Sequence, residues 1–220
     1  MDYSHKFGAE RRDLLVEAQK FGKSRLFCGV AFIATGASLI AYIASGVSLL
    51  LTALTAWCLV TVTVLLVLRR LGSARRRMLT QRIAIGLLAG LMATAAYDVL
   101  RFVLIAVTGI RFWPFDIFRV FGQALMGSGF NDGVTRLAGF LFHLSNGLAF
   151  GIAYAVWLGE RGIIAGVCYA MFLELCMVSV YPGWLHMRAI SEFMQVSVFG
   201  HIVYGGVLGW ATRVFLDENR

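Results

Sequence analysis

The stretch FHLSNGLAFG, residues 142–151, sets His143 and Asn146 in a run that is otherwise apolar or small. A histidine in such surroundings needs a partner, because an unpaired polar group in an apolar setting costs several kcal/mol. The pattern returns 58 residues later: HLSNGLAFG (143–151) and HIVYGGVLG (201–209) both read H-x-x-[N/Y]-G-x-x-x-G. Small residues four apart are common wherever membrane helices pack closely, so this echo alone is weak. A second echo strengthens it. GLLAGLMATAAYD (86–98) and GIIAGVCYAMFLE (162–174) both read G-[LI]-[LI]-A-G-x7-[D/E]. Asp98 and Glu174 end their motifs, and they are the only carboxylates set deep in apolar runs.

Composition fixes the medium. Of 220 residues, 59% are hydrophobic and 15% charged, with mean hydropathy +0.77. A soluble domain averages about 25% charged residues, so the chain reads as an all-α integral membrane protein with no separate soluble domain. The first apolar stretch, from Leu26 to Leu68 with one small-residue break, is far longer than a signal peptide's core of about 7–15 residues and reads as an anchor. Cys28, Cys58, Cys168 and Cys176 fall in apolar runs without metal or redox spacing and read as buried thiols.

A helical span needs roughly 20 mainly apolar residues. Six segments qualify: 26–44, 47–68, 83–108, 137–158, 163–181 and 193–213. The organisation expected is an arm (1–25) holding an amphipathic helix over 9–25, a transmembrane hairpin (26–68) and a basic loop (69–82). Two hairpins (83–158 and 159–213) and a tail (214–220) follow. An aromatic-rich segment, RFWPFDIFRVFGQALMGSGF (111–130), interrupts the first of these hairpins. It reads as an interfacial helix, either an aromatic anchor or a lid over a site beneath it. The net charge of +8 sits mostly on one side. Fifteen of 20 basic residues lie in the arm, the loop 69–82, Arg161, Arg213 and Arg220, against Arg111, Arg119, Arg136 and Arg188 opposite. The positive-inside rule then places both termini in the cytoplasm, with anionic lipid headgroups rather than nucleic acid as the partner of that charge. Other membrane lipids, a second copy or a partner subunit are the further partners this reading allows.

In this arrangement the spans 83–108 and 163–181 run outward, and 137–158 and 193–213 run inward. The last four spans form a four-helix bundle of two parallel helix-hairpin repeats. At 1.5 Å per residue, Asp98 and Glu174 lie roughly 10–15 Å below the outer surface, and His143 and His201 at nearly the same depth. Ionisable groups so placed face the bundle interior and find one another. One half adds Arg101 and Asn146, a turn beyond Asp98 and His143, where the other carries Met177 and Tyr204.

Four readings of this layer follow. It could be an ion-pair lock, in a structural subunit, with Asp98 paired to Arg101 and Glu174 to a protonated histidine, although buried ion pairs stabilise poorly compared with apolar packing. It could bind a divalent metal, Zn²⁺, Fe²⁺ or Mn²⁺, through Asp98, His143, Glu174 and His201. Arg101, Asn146 and Tyr204 would then contact substrate or support the ligands. Haem held by His143 and His201 is less favoured, because two carboxylates would sit beside the ring. A proton- or ion-coupled transporter is the fourth reading, but no helix shows a midspan Gly/Pro break and both prolines fall in outer loops. The metal site is taken as the working expectation, with a lipid-like or apolar substrate and hydrolysis or oxidation as the chemistry.

Overall fold

The computed structural model describes the backbone of residues 3–109, 113–185 and 190–218, and the side chains of 18–109, 113–181 and 194–218. Among them are seven α-helices and no strand. They are α1 (Tyr3–Ser45), α2 (Leu49–Arg70), α3 (Ser73–Thr108), α4 (Asp116–Met126), α5 (Asp132–Trp157), α6 (Gly162–Leu185) and α7 (Ile190–Glu218), with a 3-10 turn at Gly159–Arg161 before α6.

Five segments are long and apolar enough to cross a membrane: Ala18–Ser45, Leu49–Arg70, Ser73–Thr108, Asp132–Trp157 and Gly159–Tyr181. They make the chain consistent with a helical membrane protein. The sixth expected span, 193–213, lies on α7, which does not reach the same hydropathy among the described residues. Gln195, Ser197, His201 and Tyr204 account for the deficit.

Several boundaries move. The arm and first span are one continuous helix, α1, of 43 residues, with no break at residue 25. The expected basic loop is a two-residue turn at Leu71 and Gly72, and the basic run Arg75–Arg77 lies on the first turns of α3. Between α1 and α2 the chain reverses at Gly46, whose φ of 71° only glycine adopts without strain. Of the four cysteines only Cys28 is buried, Cys58 and Cys168 are exposed, and all four are free thiols. His5 and His186, which fall outside the six expected spans, also lie outside the described side chains.

The first two helices do not stand apart from the rest. α1 packs on α2 on one side and on α5 on the other, α5 packs on α3, α3 on α7, and α7 on α6. This row closes into a ring in which α1 and α6 barely touch. α2 stays outside the ring, with Leu50, Leu54, Leu59, Val62, Leu65 and Leu66 exposed as on a lipid-facing helix. The expected four-helix bundle therefore gains α1. Its helices α5 and α6 meet through side chains, the Tyr169 hydroxyl donating to the Phe150 carbonyl at 3.1 Å.

Two crossings need glycine. On α3 and α5, Gly86 and Gly90 face Gly147 and Gly151, and a Cβ on Gly86 would come within 2.5 Å of the Ile152 Cα. On α6 and α7, Gly162 and Gly166 face Gly205 and Gly209, and a Cβ on Gly209 would come within 2.5 Å of the Gly162 carbonyl oxygen. Removing side chains at these points lets the backbones approach until the ridges interlock.

The segment expected as an interfacial helix contains α4, whose Ile117, Phe121 and Gly122 are buried. It is no mere anchor on the surface. Gly122 abuts the backbone of Thr135, and Gly139 abuts that of Phe118, so α4 is locked onto the start of α5. At the other end of α5, two cations cap its last carbonyls. Arg25 donates to Val156 at 2.6 Å and Trp157 at 3.3 Å, and Arg82 donates to Ala155 at 3.1 Å while pairing with Glu160. Guanidinium groups suit this position because the helix C-terminus carries unsatisfied carbonyls and partial negative charge.

Candidate functional site

The glycine crossings set the site. In an antiparallel pair, moving a fixed number of residues up one helix matches moving the same number down the other. Asp98 lies eight residues beyond Gly90, and His143 eight residues before Gly151, which Gly90 touches. Glu174 lies eight beyond Gly166, and His201 eight before Gly209, which Gly166 touches. Each crossing therefore delivers one carboxylate to one imidazole.

In the first pair, Asp98 Oδ2 is 3.3 Å from His143 Nε2, and Asp98 Oδ1 is 3.3 Å from Arg101 Nη1. Arg101 is 2% exposed. Its Nη2 donates to the Pro114 carbonyl at 2.6 Å, and its guanidinium lies 5.0 Å from the ring centres of both Tyr97 and Phe115. Cation–π contact on two faces, a carboxylate and a carbonyl together hold this charge where it would otherwise be costly.

In the second pair, Glu174 Oε2 is 2.8 Å from His201 Nδ1 and accepts from Ser197 Oγ at 3.1 Å. Glu174 is 1% exposed, and its Oε1 has no partner among the described residues. Tyr97 connects the pairs. Its ring lies 5.9 Å from that of His143 and 5.1 Å from that of His201, and its hydroxyl is 3.3 Å from Ser197 Oγ. Gly200 on α7 clears the space this ring occupies.

A cavity of about 250 Å³ lies inside the helix ring. His143, His201, Arg101, Asn146 and Tyr204 line it, while Asp98 and Glu174 stand behind their imidazoles. The rest of the wall is largely apolar, from α1 (Ile33, Ile40), α4 (Ile117, Phe121) and α6 (Phe172, Leu173). Tyr204 spans α7 to α5 by donating to the Gly147 carbonyl at 2.8 Å. Asn146 Oδ1 is buried without a partner among the described residues.

The seven residues singled out from sequence thus collect in one region, but as two pairs and not as one cluster. No three His, Cys, Asp or Glu side chains converge among the described residues. The sequence motifs single out neither Tyr97 nor Ser197. Both sit one helical turn or less from a motif residue, Tyr97 beside Asp98 and Ser197 four before His201, and that proximity was the available signal. The chain matches no protein-family model, no curated protein and no solved structure.

Proposed function

We propose that this chain is an integral membrane protein with six spans, α7 included, and cytoplasmic termini. Its cavity holds a lipid-like or apolar molecule, whose polar end meets two carboxylate–imidazole pairs. The observation that carries this reading is the division of the cavity wall. Apolar side chains of α1, α4 and α6 line one part, and the polar residues of α3, α5 and α7 line the other. Such a wall, mainly apolar with a few polar groups fixed in place, is what small-molecule sites have in common. The basic arm and the Arg69–Arg77 turn support the cytoplasmic side. The recurring glycine motifs and the matching acid–histidine register support duplication of one hairpin.

Photolabelling tests the pocket. A membrane-soluble alkyl diazirine should label residues of α1 and α6 that face the cavity, and Ala37→Phe or Met177→Trp should suppress that labelling. Equal labelling of the wild type and both filled variants would remove the pocket from consideration.

A second reading keeps a divalent metal. Its support is that each imidazole is oriented by a carboxylate, as metal-binding histidines usually are. His143 and His201 would then be the ligands, with Asp98 and Glu174 as their orienting partners and Asn146 nearby. Elemental analysis of protein purified without chelator, beside His143→Ala/His201→Ala, decides between the two. Near-stoichiometric zinc, iron or manganese that is lost in a folded double variant favours the metal.

A further inference from the structure

The hydrogen bonds around the cavity are unevenly shared between donors and acceptors. The protons of the hydroxyls on Thr94 and Tyr204 are already engaged, the first on the Gly90 carbonyl at 2.8 Å and the second on that of Gly147. Ser197 gives its proton to Glu174, so the 3.3 Å contact between Ser197 and Tyr97 uses the tyrosine's proton. Arg101 is held by Asp98, Pro114 and two aromatic rings.

The imidazoles are the reverse case. His201 Nδ1 faces the Glu174 carboxylate at 2.8 Å and the Ser197 carbonyl at 3.0 Å. Both are acceptors, so a neutral ring carries its proton on Nδ1 and leaves Nε2 as a bare lone pair. His143 Nε2 faces the Asp98 carboxylate at 3.3 Å, which by the same logic leaves Nδ1 bare. Neither bare nitrogen has a partner among the described residues, and both histidines line the cavity. Asn146 also lines the cavity and brings both kinds of group, a buried, unpartnered Oδ1 and the amide N–H donors beside it.

Charge points the same way. Arg101 and Asp98 cancel, and Glu174 leaves the region negative unless an imidazole is protonated. An anionic headgroup, the partner that Arg101 alone would invite, meets a cation already paired and a carboxylate nearby. An uncharged hydroxyl instead donates to an imidazole nitrogen, while its own lone pairs can accept from the Asn146 amide.

We infer that the cavity selects a neutral apolar molecule ending in a hydrogen-bond donor, a long-chain alcohol, over the matching carboxylate or ether. This rests on reading the cavity as a ligand pocket.

The test is competition against tritiated hexadecanol on the full chain in lipid nanodiscs. The competitors are unlabelled hexadecanol, its methyl ether, hexadecanoate and hexadecylamine, all of one chain length. Hexadecanol should compete at least about ten-fold more strongly than the ether and the carboxylate, the scale of one or two lost hydrogen bonds. His143→Phe and, independently, His201→Phe should each shrink that advantage severalfold with ether binding retained. Equal competition by alcohol and ether overturns the inference and leaves the pocket standing, as does tighter binding of the carboxylate. A ten-fold preference for the amine overturns it too, because the acceptors would then serve a cation. If hexadecanol shows no saturable binding, and Ala37→Phe leaves its retention unchanged, the pocket reading falls and takes the inference with it.

Discussion

Asp98 on α3 and His143 on α5 meet at 3.3 Å because Gly90 and Gly151 touch eight residues away along the same antiparallel crossing. The backbone contact and the side-chain contact are two readings of one register, and so are their counterparts on α6 and α7. Coupling between the charged groups should therefore follow the crossings. In double-mutant cycles on thermal or denaturant unfolding in detergent, Asp98→Asn with His143→Ala and Glu174→Gln with His201→Ala should each show about 0.5–3 kcal/mol of interaction. The cross combination of Asp98→Asn with His201→Ala should be additive to within roughly 0.5 kcal/mol. Strong coupling in the cross pair would mean that the four groups act as a single cluster.

Adjacent glycines on α7 offer an internal control. A Cβ at Gly205 would press on the backbone of Gly166 and on Val167, whereas nothing lies within 4 Å of one at Gly206. Gly205→Ala should lower the melting temperature in detergent. Gly206→Ala should leave it unchanged or raise it, since alanine is favoured over glycine in a helix by about 0.5–1 kcal/mol. If both substitutions behave alike, the two helices do not cross where described.

Arg101 should be irreplaceable singly and partly replaceable in company. Arg101→Met leaves the half-buried Asp98 carboxylate with His143 as its remaining partner, a change that should cost about 1–3 kcal/mol. Arg101→Met/Asp98→Asn should recover much of that loss, as measured by chemical unfolding. Arg101→Lys should restore little, because an ammonium cannot lie flat between Tyr97 and Phe115 while reaching Pro114.

The opposite end of α5 is held by Arg25, Arg82 and Glu160. Glu160→Lys would set three cations together beside the α5 terminus, and it should destabilise more than Glu160→Gln. Its effect should ease as salt rises, because Glu160 is half-exposed and such charges are screened. A salt-independent loss would point to packing instead.

Orientation is open to direct labelling. Ser73→Cys lies on the basic side and Ser128→Cys between α4 and α5. With both termini cytoplasmic, a membrane-impermeant maleimide applied to intact cells should modify Ser128→Cys alone and reach Ser73→Cys only after lysis. The reverse pattern would invert the topology.

Much of this arrangement was legible in the sequence. The apolar runs located α1, α2, α3, α5 and α6, and the paired glycine motifs named the residues that meet. Two matters escaped. Depth counting treats a helix as a rod and ignores azimuth, so it placed Asp98, His143, Glu174 and His201 in one layer without telling which faced which. The glycine spacing held that information, since the same eight-residue step appears on both sides of each crossing. The role of α1 was hidden for a different reason. Its Gly36 and Ala37 have no polar signature, and only the space they leave against Phe150 and the cavity shows that α1 completes the wall. Tyr97 was missed because an aromatic residue on a membrane helix usually reports packing, and its contacts with the two imidazoles depend on how α3 approaches α5 and α7.

The loose meeting of α1 and α6 has a consequence for how the protein would be supplied. On the proposed reading, a molecule that reached the cavity between these two helices would stay within the bilayer and search in two dimensions among lipids. Occupancy would then follow its mole fraction in the membrane and the ease with which neighbouring acyl chains make way, and total aqueous concentration would matter little. Stiffening the bilayer with a sterol or with saturated chains should slow exchange at constant affinity, a dependence on the solvent that a water-facing site would not share.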